Sequence, residues 1–204
     1  IKDDNLIASS SQTIAANFDQ LSEYEKAFFY YNKGLIYANK TNNDVLKNWI
    51  YNNLGNIYCF DKKQYEKGIF YYKKSLAYSK KINDPSQVVF TKLNIAWAYF
   101  DIGQFEKGYP YLKHINLHHK KYGYSSTIVA LNMLNGMYYS YKNDTRKAHY
   151  FFQNAIKLGN EGADSGRPDL DAALAGDAEF VERIRECRRR IAGQPCRDAQ
   201  SRFH

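Results

Sequence analysis

The sequence predicts an all-α protein, a solenoid of about four antiparallel helix pairs followed by a C-terminal helix. Three observations carry that reading. A block ending in a small residue recurs as Tyr24-Glu25-Lys26-Ala27, Tyr65-Glu66-Lys67-Gly68, Phe105-Glu106-Lys107-Gly108 and Thr145-Arg146-Lys147-Ala148, at spacings of 41, 40 and 40. A period of that size marks a repeat architecture. Each small residue is followed four places on by Tyr31, Tyr72, Leu112 or Phe152, and three further on by Gly34, Ser75, Ile115 or Ala155, which is the i, i+4, i+7 stripe of one helix face. Finally, 19 Tyr and 12 Phe stand beside only 4 Pro in 204 residues, a composition for packed, unbroken helices.

Taken in order, the first pair has a helix centred on Ala15 and Phe18, then one carrying Ala27 and Tyr31. The second has Gly55 and Tyr58, a turn at Asp61-Lys62-Lys63, and a helix carrying Gly68 and Tyr72. Asn83-Asp84-Pro85 opens the third, with Pro85 suited to a first helical turn; Ala96 and Tyr99 follow, then a turn at Asp101-Ile102-Gly103 and a helix with Gly108 and Leu112. The fourth runs through Gly136 and Tyr139, turns at Asn143-Asp144, and continues past Ala148 and Phe152. The small residues of the first helices stand 12 or 13 places before those of the second. They sit where two helices approach closely and a larger side chain would hold them apart, with the aromatics filling the space beside them.

Composition changes near residue 160. Residues 1–160 hold 20 Lys and 1 Arg against 12 acids, a net of +9, while residues 161–204 hold 8 Arg against 9 acids, a net of −1, so the overall +8 belongs to the repeats. All 19 Tyr and all 18 Asn lie before residue 161. Residues 161–168, rich in Gly, Ser and Asp, read as a flexible linker, and residues 169–204 as an Arg-rich tail that is foreign or appended. Within it Asp177 can cap a helix running to Gly193, with Phe180, Ile184, Cys187 and Ile191 on one face and Glu179/Arg183 and Glu186/Arg190 spaced for pairing. Two readings of that helix stand: a cap for the last repeat, or a fusion or cloning segment. The scattered lysines read as a solvated helical surface rather than a nucleic-acid patch. Three cysteines, an odd number, favour a reducing compartment. Because the sequence begins at Ile1 it reads as an excised or processed piece, expected in the cytoplasm with the periplasm as the alternative; no segment has the ~18 apolar residues of a membrane span.

Leu54-Gly55-Asn56-Ile57-Tyr58, Tyr65-Glu66-Lys67-Gly68 and Tyr72-Lys73-Lys74-Ser75-Leu76, together with Ala96, Tyr99, Gly103, Phe105, Gly108 and Ile115, resemble the tetratricopeptide repeat over residues ~5 to 160. The period of 40 departs from the usual ~34, and the closing proline is missing. Such long repeats resemble those of bacterial signalling regulators. The resemblance implies a right-handed superhelix acting as a non-catalytic protein or peptide interaction module, the sensing or docking part of a bacterial regulatory protein. It further implies that the first helices line a concave groove. Counting from their small residues places Asn52, Asn56 and Cys59, then Leu93, Trp97 and Asp101, then Met133, Met137 and Tyr141 on or near it. The expected contacts to a peptide or partner helix are Asn52, Asn56, Trp97, Asp101, Met133, Met137 and Tyr141, with Trp97, Met133 and Met137 equally open to a packing role. Asn56 matches the asparagine with which some family members grip a C-terminal carboxylate, but Gln12, Leu93 and Met133 replace the basic partners, so no such clamp is expected.

His114 and His118 are one turn apart, a spacing that can bind metal, but no third ligand accompanies them; with His119 they read as surface polar residues. Cys59 reads as a small packing residue. No metalloprotease, phosphate-loop or nucleophile-elbow motif occurs. The sequence therefore offers no catalytic residue, metal site or cofactor, and the expected partner is a protein or peptide, of acidic character given the +9 charge. Two alternatives remain: a nucleic-acid-associated regulator using the Lys surface and Arg tail, and a scaffold that self-associates through its ends.

Overall fold

The structure, a computed structural model, describes residues 3–164. Eight α-helices follow one another, with no strand among the described residues: α1 Asp4–Gln20, α2 Tyr24–Lys40, α3 Asp44–Asn56, α4 Tyr65–Lys81, α5 Pro85–Asp101, α6 Phe105–Tyr122, α7 Ile128–Tyr141 and α8 Thr145–Asp164. The helices pair as the periodicity predicts, α1 with α2, α3 with α4, and α7 with α8. The described residues divide into two compact units, 3–118 and 119–164, so that the division falls inside α6.

The turns share one design. Ser22, Asn42, Lys63, Asn83, Gly103 and Asn143 each adopt a left-handed backbone, with φ between 52° and 71°. The next amide then reaches back into the last helical turn: Glu23 to Phe18, Asn43 to Ala38 and Asp144 to Tyr139 at 2.9 Å, and Asp84 to Ser79 at 3.0 Å. Carbonyls that would otherwise lack partners are satisfied, and the chain reverses in three residues. Asn43, Asp84 and Asp144 then cap the following helices, accepting from Leu46, Gln87 and Lys147 at 3.0 to 3.1 Å. Pro85 occupies the first turn of α5, as expected.

The α6–α7 connection instead runs through a 3-10 turn at Ser125–Thr127, and among the six left-handed turns the one between α3 and α4 is longer, for a reason the sequence shows. The small residues of the second pair, Gly55 and Gly68, are one residue further apart than those of the other pairs. The extra residue is absorbed by a π-helical turn, Ile57–Asp61, and the closing amide of Gln64 reaches six residues back to Tyr58 at 2.7 Å.

Within each pair the aromatic three residues after the first small residue stacks on the one three residues after the second. Phe18–Tyr30, Tyr58–Tyr71, Tyr99–Tyr111 and Tyr139–Phe151 have centroids 5.6, 5.3, 6.1 and 5.5 Å apart. A lysine covers each stack: Lys26 over Phe18, Lys67 over Tyr58, Lys73 over Tyr99 and Lys147 over Tyr139, at 5.1, 4.1, 5.7 and 4.9 Å. Much of the Lys and Tyr excess is thereby spent on packing one helix of a pair against the other.

In the first unit Tyr31 and Tyr72 are fully buried, among Ala8, Ala15, Ala27, Ile50 and Ile57 for the former and Cys59, Ile69, Leu76 and Ile95 for the latter. Cys59 is a buried packing residue, as expected, and Gly55 leaves room for the Tyr72 ring. In the second unit Val129, Met133 and Leu134 pack with Ala148, Phe152 and Ala155 buried, and the Phe152 ring lies where a Cβ on Gly136 would stand. α8 extends through Asp164, so helix covers the first four residues of the expected linker 161–168. The remainder of that linker and the expected helix from Asp177 to Gly193 lie outside the described residues.

Candidate interaction face

The face that α3 offers to solvent follows from its register. Val45, Trp49 and Asn56 recur at spacings of four and seven, one stripe of a helix, while Leu46, Ile50 and Leu54 face the core. Val45 is 42% exposed and Trp49 44% exposed, and Asn56 is half-buried. Asn56 accepts a hydrogen bond from the Tyr72 hydroxyl at 2.8 Å, which fixes its carboxamide oxygen and leaves its N–H groups to face outward contacts. The π turn begins at the next residue, Ile57.

The other expected contacts divide by burial. Asn52, Trp97 and Met133 lie in the core at 7%, 5% and 1% exposure. Its partner explains a core place for Asn52 on an apolar helix, since Asn94 on α5 donates to Asn52 Oδ1 at 3.0 Å. A second buried asparagine, Asn48, places Nδ2 2.9 Å from the Ser75 carbonyl and 2.7 Å from Ser79 Oγ on α4. These amides tie α3 to α4 and α5 inside the first unit, where each would be costly if unpaired. Asp101 and Met137 are half-buried, and Tyr141 is exposed. Asn52, Asn56, Trp97 and Asp101 belong to the first unit; Met133, Met137 and Tyr141 belong to the second.

The histidine expectation requires correction. His119 is buried rather than on the surface, its Nε2 2.8 Å from Thr127 Oγ1. The Thr127 hydroxyl already donates to the Tyr124 carbonyl at 2.7 Å, so His119 is the donor and carries its proton on Nε2. Burial holds its basicity below the ordinary imidazole value. His114 is half-buried and its pKa is lowered to about 4, chiefly by burial and then by Lys92, His118 and Lys80. The spacing of these residues does not reveal their burial, because His at i, i+4 and i+5 spans both a solvent face and a core face.

Two features of the first unit escaped the sequence reading. Trp49 is the large exposed aromatic of the α3 stripe, seven residues before Asn56, and that heptad spacing was the available signal. Asp19, near the end of α1, has its pKa raised to about 7 by burial and by the charge of Asp61, to which the Tyr24 hydroxyl donates at 2.8 Å. No spacing in the sequence announces that a residue of α1 meets one of the π turn. Among the described residues no group of three His, Cys, Asp or Glu side chains could hold a metal ion, and no helix is long and apolar enough to cross a membrane.

Comparison with known proteins agrees with this architecture. The family model of the tetratricopeptide repeat matches residues 50–82, which span the second half of α3, the π turn and α4. No curated protein matches the chain. Among solved structures, that of BtubC (BKLC) from P. vanneervenii is similar over 93% of this chain and 80% of its own, at a TM-score of 0.61 and 16% identity, a likeness of fold. Repeats of this kind bind other proteins and are typically non-catalytic. One tetratricopeptide repeat is thus matched at residues 50–82, and the helix pairs around it share its helix-pair design and the helical-repeat fold.

Proposed function

We propose that the chain is the docking part of a bacterial regulatory protein, and that a peptide or partner helix lies along the first-helix face of its first unit. Trp49 carries this reading. It is an indole 44% exposed in a fold that buries Trp97 to 5%, and it shares its stripe with Asn56. A large aromatic left open beside a carboxamide with free donors is the composition of a binding hot spot, apolar area with a polar handle. Within the first unit Asp101 extends the proposed contacts, and Asn52 and Trp97 act from beneath by setting the packing of the helices that carry the face; Met137 and Tyr141, with Met133 buried on the same helix, are the proposed contacts of the second unit taken by itself. The +9 charge of residues 1–160 favours an acidic partner by steering.

The chain, immobilised whole, should retain a defined protein through a high-salt wash, and hydrogen exchange of the complex should show new protection across residues 45–60. Nucleic acid released by salt would support the nucleic-acid reading instead, since neutralised phosphates give back their counterions steeply. Protection confined to the second helices would also contradict the proposal.

A further inference from the structure

The second helices of the first unit carry an outward stripe that neither the core nor the Trp49 face uses. On α2 it runs Phe29, Lys33, Ile36 and Lys40, at spacings of four, three and four; on α4 Phe70 and Lys74 hold the matching places, with Lys67 one turn earlier. Phe29 is 63% exposed, Ile36 57% and Phe70 52%, although both rings stand two residues past the buried Ala27 and Gly68. The third pair has Pro110 at this place, which ends the run at α4 within the first unit. The two stripes are joined by a row of rings: Phe70 meets Tyr71 edge-on at 5.4 Å, Tyr71 stacks on Tyr58 at 5.3 Å, and Tyr58 stacks at 5.1 Å on Phe28, the neighbour of Phe29. The charge beside these rings is mostly of one sign. Each helix has a single acid, Glu25 or Glu66, in its first turn. Lys33, Lys40, Lys67 and Lys74 rest on Tyr30, Tyr37, Tyr58 and Tyr51 at 6.0, 4.6, 4.1 and 5.2 Å, and none of the four pairs with an acid among the described residues.

We propose that this face of α2 and α4 docks on an anionic phospholipid bilayer, with Phe29, Ile36 and Phe70 entering the boundary between headgroups and acyl chains and the lysines meeting the phosphates. Charge complementarity calls for an anionic occupant, and the residue types choose among the anionic ones. Lysine is depleted from protein–protein interfaces, where arginine is the favoured cation, and every cation of this face is a lysine. Nucleic acid would stack bases on the rings but gains nothing from an exposed aliphatic such as Ile36 between two lysines. A bilayer takes all three residue types: aromatic and aliphatic side chains leave water at its boundary, and the long lysine stems let the ammonium groups reach the headgroups. The face stands on α2 and α4 and Trp49 on α3, so the failure of either proposal leaves the other intact.

The test sediments the whole chain with vesicles of phosphatidylcholine alone and with vesicles of an equimolar mixture of phosphatidylcholine and phosphatidylglycerol. The chain should sediment with the mixture and not with phosphatidylcholine alone, and raising the salt to about 0.5 M should weaken the binding, since screening shortens the reach of surface charge. Each lysine near an anionic surface contributes roughly fivefold in affinity, so exchanging the exposed Lys40→Gln and Lys74→Gln together should weaken partition about 25-fold. Phe29→Trp should show a blue shift of indole emission beyond the parent's, with the mixture only, as the ring leaves water. Equal sedimentation with both vesicles or with neither, undiminished partition of the double variant, or Phe29→Trp emission unmoved by the mixture would overturn the proposal. Retention of the chain by polyglutamate or by oligouridylate without vesicle binding would overturn it too, giving the face to an acidic peptide or to RNA.

Discussion

Gly55→Ala sets two known effects against each other. In an open helix the change stabilises by about 1 kcal/mol, because glycine loses more backbone freedom on folding. Here the new methyl would stand 2.5 Å from Tyr72 Cε1 and 3.0 Å from Tyr72 Cγ. The ring has little room to give way: Tyr72 is fully buried among Cys59, Ile69, Leu76 and Ile95, and its hydroxyl is held by Asn56. Forced overpacking of a core costs about 1–3 kcal/mol, and with a ring this confined the upper part, about 2–3 kcal/mol, applies, so the clash outweighs the gain of about 1 kcal/mol and the net loss should be about 1–2 kcal/mol. Among the other pairs the third carries Ala96 with Leu112 at the corresponding positions and the first Ala15 with Tyr31, so the tight Gly55–Tyr72 contact belongs to the second pair, whose connecting turn is π-helical. Adding Tyr72→Leu should therefore recover part of the loss, giving a favourable coupling of about 1 kcal/mol in a double-mutant cycle. Urea unfolding followed by circular dichroism measures all four proteins. A Gly55→Ala chain as stable as the parent, or a strictly additive cycle, would refute the close-approach account of the repeat's small residues.

Two further outcomes follow from polar groups in the first unit. Asp19 holds its proton more tightly in the folded chain, at about 7, than at its ordinary 3.8. Its contribution to stability is therefore complete below pH 3.8 and is lost as pH rises through about 7. Asp19→Asn should flatten the fall in melting temperature across that window, and a curve parallel to the parent's would contradict the Asp19–Asp61 repulsion. For the buried Asn52–Asn94 pair, replacing either residue by Leu strands an amide and should cost about 1–3 kcal/mol, whereas replacing both should cost less than the sum of the two. Equal additivity in chemical denaturation would mean that the pair does not join α3 to α5.

The helix pairs, their turns and their small residues were legible because each is written four times at nearly constant spacing, and packing of one helix on its neighbour depends on local register alone. The irregular 41-residue step was visible too, though only the structure shows that it becomes a π turn beside Asn56. The interaction face was less legible. Asn52, Asn56 and Trp97 were chosen by position, and position does not report which polar residue finds a partner: Asn94 lies 42 residues beyond Asn52, and their hydrogen bond takes Asn52 into the core. Trp97 and Trp49 differ by the same logic, since burial of one and exposure of the other depend on the helices packed around each.

The central claim is that Trp49 belongs to a surface for a partner and not to the core. Its most direct test is the equilibrium affinity of one defined, salt-resistant partner for the parent chain and for Trp49→Ala, with both unfolding midpoints recorded. The account predicts an affinity loss of roughly 30-fold, corresponding to about 2 kcal/mol for a hot-spot aromatic, at an unchanged midpoint. An affinity within about twofold of the parent's, or a loss matched by a fall in the midpoint, would contradict it.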